Sequence, residues 1–275
     1  MSEDYRDAEG FLCCGLCRTR KEADVPWPDL RTGKVRLRRV GTLCECRRRE
    51  AELLEKRVER VNFEADLKRL RETGLSSREY LRYTFADDDL RNREHSNLCR
   101  KYVELWERHK ANNTGLLLYG DTGTGKSFLA GCIANALLQH LVPVTVMSFP
   151  QLLPVLYDGG ELARRAINRV SACDLLVIDD LGVESGTETA LQHVFRVVDA
   201  RALAGKPLIV TTNLSLERLK APVDLAHKRI YDRILGLCPI RIRVSGPSRR
   251  EAEAEAKRAE AVELMRAKSL VLGRS

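Results

Sequence analysis

From about residue 112 to 246, short runs of consecutive apolar residues alternate with longer stretches in which apolar positions recur every three or four residues. Five runs stand out: "GLLLY" (115–119), "VPVTVMSF" (142–149), "DLLVID" (174–179), "PLIVTT" (207–212) and "PIRIRV" (239–244). Their lengths and bounding turn residues predict β-strands. The helical patterns between the first four predict the β-α-β alternation of a parallel sheet. The middle runs are apolar throughout, as strands covered on both faces require. "IRIRV" alternates apolar and charged residues instead, which predicts an edge or half-exposed strand. The expected architecture is an α/β three-layer sandwich.

The flanks follow other patterns. Residues 1–50 carry cysteines and basic residues and read as a separate module. Residues 51–111 are highly charged, with helical periodicity broken at "TGLSS", and read as a helical linker. The α/β domain then occupies 112–250, and 251–275 form a charged, solvated helical tail. Of the 275 residues, 44% are hydrophobic and 31% charged, the mix of a soluble globular chain. No apolar run approaches the roughly 20 residues that span a bilayer. The acidic start "MSEDYRDAEG" lacks the apolar core of a secretory signal, so no membrane association and a cytoplasmic location are expected. Nine cysteines in such a setting read as thiols or metal ligands rather than disulfides. The net charge of +8 favours an anionic partner such as nucleic acid.

The chemistry concentrates after the first strand. Gly120-Asp121-Thr122-Gly123-Thr124-Gly125-Lys126-Ser127 fits the pattern GxxxxGK[ST], with a strand before it and the helical "KSFLAGCIANALLQH" after it. The glycines allow a tight turn whose N–H groups converge on phosphate oxygens, and the helix N-terminus adds partial positive charge. Lys126 is expected on the β and γ phosphates of ATP, and the Ser127 hydroxyl on Mg²⁺. "LLVIDD" ends a buried strand in two carboxylates: Asp179 is expected to hold Mg²⁺ and Asp180 to polarise the attacking water. Asp180 has an alternative as the cap of the next turn, and Glu184 is a rival for the water. Asn213, after the fourth strand, is placed to orient that water near the γ-phosphate.

Together these residues resemble the AAA+ ATPases of the bacterial and phage helicase-loader and transposition-helper group, the DnaC/DnaI-like and IstB-like proteins. The resemblance runs over about residues 82–250 through "GLLLYGDTGTGKSFLAGCIANALL", "DLLVIDDLGVE", "KPLIVTTNLSLERLK", "RIYDRIL" and "GPSRR". It implies strand order 5-1-4-3-2, with "IRIRV" at one edge beside the phosphate-loop strand. Many related ATPases carry Glu where Asp180 stands. The group completes its site with an arginine from a neighbouring subunit, and alignment points to Arg229 or, four residues on, Arg233. Arg250 matches the arginine that closes the family core. Tyr83, Phe85, Tyr102 and Trp106 fall in the family's lead-in and read as packing residues.

The N-terminal module has its own pattern. "FLCCGLCRTR" and "GTLCECRRR" set Cys14 and Cys17 at C-x2-C, and Cys44 and Cys46 at C-x-C, a set able to hold Zn²⁺ tetrahedrally. Cys13 is an alternative to Cys14, and several loaders in the resembled group carry a similar element. Cys99, Cys132, Cys173 and Cys238 lie singly and read as small core or surface residues. Lys34, Arg36, Arg38, Arg39, Arg47, Arg48 and Arg49 put a basic face on the module. It reads first as a phosphate-contacting face, with docking on an acidic partner or plain solvation as alternatives. Few aromatics stand nearby for base stacking, and Trp27 is isolated between prolines.

The expected function is an Mg²⁺-dependent ATPase that self-assembles with ATP and loads or remodels a replicative DNA helicase on single-stranded DNA. Two alternatives stand beside it. One is an IstB-like helper acting on duplex DNA with a transposase. The other is a zinc-stabilised DNA-binding adaptor whose nucleotide only switches shape.

Overall fold

The computed structural model describes residues 3–28, 34–89, 92–182, 186–222 and 224–248, with parts of 251–265. The chain divides into two compact units, Met1–Asp66 and Leu67–Ser275. Within the second unit, β5 (Leu116–Tyr119), β6 (Val144–Ser148), β7 (Leu175–Leu181), β8 (Leu208–Thr212) and β9 (Ile240–Arg243) form one sheet in the order β6-β7-β8-β5-β9. Every pairing is parallel. Counted within this sheet from the β9 edge, the order is 5-1-4-3-2, as the resemblance implies. The alternating β9 lies at the edge beside β5, where only one of its faces is covered.

Alternate side chains of the sheet enter two separate cores, which makes the sandwich three-layered. Leu117, Leu176, Ile178 and Val210 point into a core shared with α5 (Phe149–Asp158), α6 (Gly160–Ala172), α7 (Glu188–Leu203) and α9 (Leu225–Leu237). Leu116, Leu118, Leu175, Val177 and Ile209 point the other way, onto α2 (Arg93–Glu104), α3 (Trp106–Ala111) and α4 (Lys126–Leu138). The boundary expected at 111/112 is therefore not a boundary of the fold. Tyr102 and Trp106 are buried against the sheet together with Cys99, so the lead-in forms part of the α/β unit. The expected boundary at 50/51 also falls inside an element, because α1 runs unbroken from Glu45 to Gly74, ending within "TGLSS" (73–77). The described residues between 251 and 265 are helical.

At the end of the sheet opposite the phosphate loop, Arg201 on α7 is fully buried. Its guanidinium donates to the carbonyls of Val170 (2.9 Å), Cys173 (2.7 Å), Asp174 (2.7 Å) and Pro207 (2.5 Å). These are orphan acceptors at the end of α6 and the starts of β7 and β8, so one planar fork satisfies groups that would otherwise be buried unpaired.

The first unit has almost no apolar interior. Short strands β1 (Tyr5–Arg6) and β2 (Leu12–Cys13) pair, as do β3 (Glu22–Pro28) and β4 (Val35–Gly41). Its buried apolar side chains are Phe11, Cys13, Cys14 and Cys44 among the described residues. Phe11 is sandwiched between the guanidinium groups of Arg20 (4.1 Å) and Arg39 (3.8 Å). A core of one ring and three thiols is too small to hold 40 residues folded by burial alone.

Candidate functional site

The turn from β5 into α4 is built by backbone constraints. Gly120, Gly123 and Gly125 have φ of 137°, 81° and 98°, the region that side chains rarely adopt. Space forbids a side chain at two of them as well. A Cβ at Gly120 would lie 2.3 Å from the Val244 carbonyl, and one at Gly123 would lie 2.3 Å from the Ser248 hydroxyl. Helices α7, α8 (Leu216–Lys220) and α9 open on the capping side chains of Thr187, Ser215 and Asp224. α4 opens on Gly125 with no side-chain cap, which leaves its first N–H groups to an incoming anion. Lys126 is buried and donates to the carbonyls of Gly120 (3.0 Å) and Asp121 (2.7 Å) across its own loop. Thr124 donates to Asp121 O at 2.9 Å and keeps the turn closed.

Beside this loop lies a cleft of about 290 Å³. Thr122, Gly123, Gly125, Lys126 and Ser127 supply one wall, and Asp180 and Asn213 another. The two acids of "LLVIDD" have different fates. The β7–β8 register shifts between Ile178 and Leu181, and Asp180 takes φ +57°. Such a bulge re-aims a side chain at the end of a strand, and Asp tolerates the left-handed region better than most residues. Asp180 thereby lines the cleft, and its N–H donates to the Thr211 hydroxyl at 2.9 Å. Asp179 is buried beneath it: one carboxylate oxygen accepts from the Thr211 hydroxyl (2.6 Å), the other from the Tyr80 hydroxyl (2.5 Å).

Tyr80, Tyr83 and Glu79 were not evident as site residues from sequence. They belong to the turn around residues 80–82, where the Asn135 side chain of α4 donates to the Tyr80 (2.5 Å) and Tyr83 (2.9 Å) carbonyls. Tyr83 packs on Gly131, where any Cβ would meet its ring at 2.6 Å, and edge-on against Phe128. Glu79 and Tyr83 close the cleft opposite the loop. Burial, followed by the Asp179 charge, pushes the Tyr80 phenol far above its usual range, so it remains a donor. Removing that hydroxyl should cost about 1.5–3 kcal/mol, the worth of a hydrogen bond to a charged group. In a Trp27→Phe background, Trp106 alone reports unfolding of the α/β unit in urea. There Tyr80→Phe should lower the midpoint clearly, whereas an unmoved midpoint would mean Asp179 has found another donor.

Arg229 and Arg233 lie on one face of α9, their guanidinium groups 4.9 and 5.4 Å from the Phe195 ring. Neither lines the cleft of its own chain. Arg233 is paired with Asp199 at 2.7 Å, whereas Arg229 has no carboxylate partner among the described residues. Asp224 pairs with neither and caps α9 instead. Glu184 and Arg250 lie outside the described residues.

In the first unit the thiol sulfurs of Cys14, Cys17, Cys44 and Cys46 all lie within 4.8 Å of one another. Cys13 faces elsewhere, its sulfur 3.9 Å from the Asp7 carboxylate. The Thr19 hydroxyl and the Cys46 N–H hold the Cys17 thiol down to about 5, while the three surrounding sulfurs push Cys46 up to about 12. The Cys14 thiol is lowered by the N–H groups of Cys17 and Leu16. Four convergent sulfurs, two already favoured as thiolates by main-chain donors, fit a structural Zn²⁺. The other cysteines expected in core or surface positions, Cys99, Cys132, Cys173 and Cys238, are all buried singly in the second unit.

Among the described residues no helix is long and apolar enough to cross a membrane. The family model of the IstB-like ATP binding protein matches residues 51–256. The replicative helicase loader DnaC of Escherichia coli (strain K12) is 29% identical over 140 residues, 50% of this chain and 55% of that protein. The replicative helicase loader DnaI of Bacillus subtilis (strain 168) is 28% identical over 148 residues, 50% of this chain and 47% of that one. The chain thus spans about half the length of these curated relatives. A crystal structure of DnaI superposes with a TM-score of 0.51 at 26% identity, covering 64% of this chain and 95% of that one. With the phosphate loop, the paired acids and the 5-1-4-3-2 sheet in place, the chain belongs to the IstB-like ATP binding proteins, within the AAA+ group that includes the DnaC and DnaI helicase loaders.

Proposed function

We propose that this protein hydrolyses ATP and uses the cycle to load or remodel a replicative DNA helicase on single-stranded DNA. The reading rests above all on one observation: Lys126, Ser127, Asp180 and Asn213, from three separate elements, meet in one cleft. On ATP binding, Lys126 exchanges the Gly120 and Asp121 carbonyls for β- and γ-phosphate oxygens, and the uncapped N–H groups of α4 take the β-phosphate. Ser127 and Asp179 would hold Mg²⁺, Asp179 by giving up one of the two hydroxyls it accepts from, and the ion would supply charge neutralisation to the phosphates. Asn213 orients the water and Asp180 accepts its proton as the oxygen bonds to γ-phosphorus, and ADP leaves with the electron pair of the broken bond. Glu184 is the rival base. An arginine from a neighbouring copy stabilises the charge that develops on the γ-phosphoryl oxygens. Arg229 suits that part better than Arg233, which Asp199 already holds. ATP-dependent self-assembly follows, because each site then needs its neighbour.

A second reading is an IstB-like helper that serves a transposase on duplex DNA; the matched model, that of an IstB-like ATP binding protein, supports its ATP site. The four-thiol module lies outside the residues that model covers and favours the loader. Tagged protein purified from its host with ATP should retain a replicative helicase, and its phosphate release should respond to single-stranded DNA. Capture of a transposase without helicase would replace the first reading with the second.

A further inference from the structure

The seven basic residues expected to form one face of the N-terminal module, Lys34, Arg36, Arg38, Arg39 and Arg47 to Arg49, do not all serve one. Arg39 is spent internally: it pairs with Asp24 at 3.1 Å and lies on Phe11. Arg47 pairs with Glu50 at 3.2 Å, and Arg49 pairs with Glu45. Lys34, Arg36, Arg38 and Arg48 have no carboxylate partner among the described residues.

The register of the β3–β4 ribbon explains the division. Paired residues share a face, and the pairs alternate. Asp24↔Arg39, Pro26↔Leu37 and Pro28↔Val35 lie on one side, which carries the internal ion pairs at its base and only apolar residues toward its tip. Ala23↔Val40, Val25↔Arg38 and Trp27↔Arg36 lie on the other. Among the described residues, that second side carries two arginines, an indole and no acid. Trp27 is not isolated, as its flanking prolines suggest in the sequence. Arg36 is directly across from it, and the Arg38 guanidinium sits 4.9 Å from its ring centroid. The indole is nonetheless 51% exposed, and both arginines are exposed.

We infer that this face of the ribbon binds single-stranded DNA, with an unpaired base stacked on Trp27 and the adjacent phosphates on Arg36 and Arg38. A large aromatic ring held half in solvent by a neighbouring cation offers a flat surface that any base can cover. The two arginines beside it can each take one phosphate of the backbone, and they release counterions when they bind. None of the described residues on this face is an acid that would repel the backbone. Duplex DNA hides its base faces and cannot use the indole. The inference deepens the proposed function by assigning a DNA contact to the N-terminal unit, and it rests on that reading for its biological setting.

The whole protein, loaded with zinc, should show quenching of indole emission by oligo(dT), because Trp27 is exposed while Trp106 is buried. Anisotropy of a labelled oligo(dT) should show about tenfold weaker binding for Trp27→Leu and near-normal binding for Trp27→Phe, which keeps a ring. The double variant R36Q/R38Q should weaken binding and flatten its salt dependence by about 1.4 units of slope, roughly 0.7 for each lost phosphate contact on a single strand. Unstimulated ATP turnover and zinc content should be unchanged in all three, which excludes misfolding. Oligonucleotide binding that is undiminished in Trp27→Leu and R36Q/R38Q would overturn the inference while leaving the loader reading intact. Equal quenching by a blunt duplex would also overturn it. Failure of the helicase capture with quenching retained would defeat the loader reading alone.

Discussion

Lys126→Ala should lower steady-state ATP hydrolysis by roughly 10²–10³-fold, the scale found when one charged or hydrogen-bonding group is taken from a developing phosphoryl or acyl charge. Lys126 is buried in the loop and already within hydrogen-bond reach of two of its carbonyls, so its ammonium is held in place before nucleotide arrives. A pre-placed cation in a site shielded from water is worth more than a surface lysine that must be ordered on binding. The same variant should bind ATP at least tenfold more weakly by calorimetry. Asp180→Asn separates binding from chemistry. It keeps the shape of the cleft wall and removes the proton acceptor, so binding should persist while phosphate release falls by about 10²-fold. Turnover left intact in both variants would move the chemistry elsewhere on the chain.

Withdrawal of zinc should have the other large effect, and it should be confined to the first unit. Structural zinc contributes about 10–16 kcal/mol of apparent binding free energy in small domains. Against that stands an interior of Phe11 and three thiols. Chelation, or Cys17→Ser together with Cys46→Ser, should therefore unfold the segment that contains β1 to β4. Hydrogen exchange read by mass spectrometry should show amides of residues 5–44 losing protection, with those of β5, β7 and β8 unchanged. Zinc should be present at about one per chain in the native protein and far below that in the double variant. Protection in residues 5–44 that survives complete removal of metal would show that the ion pairs and the Arg20–Phe11–Arg39 stack are sufficient alone.

Much of this site is legible in the chain because its parts are local. The apolar runs, the glycine spacing and the Lys-Ser pair lie within one strand-turn-helix unit, and periodicity alone identifies that unit. The four thiols are read equally well, since two short spacings define two knuckles. Other features depend on residues far apart. Tyr80 meets Asp179 across 99 positions, and no local pattern marks a tyrosine as the partner of a strand-end carboxylate. The lead-in reads as a linker because its charged residues dominate its composition, whereas Cys99, Tyr102 and Trp106 recur at helical spacing and bury one face. The bulge at Asp179–Asp180 escapes detection for a different reason. "LLVIDD" is a plausible continuous strand, and the shift in pairing shows only when β8 is set beside it. Trp27 escapes because prolines on both sides argue against a strand.

Those prolines have a consequence for how the first unit can meet other chains. Pro26 and Pro28 are two residues apart, so the N–H groups they lack fall along the same margin of β3. That margin cannot template a further strand, from another molecule of this protein or from a misfolded neighbour. Copies of the chain brought close together are then protected from edge-to-edge zippering through this strand, and recognition there is left to side chains.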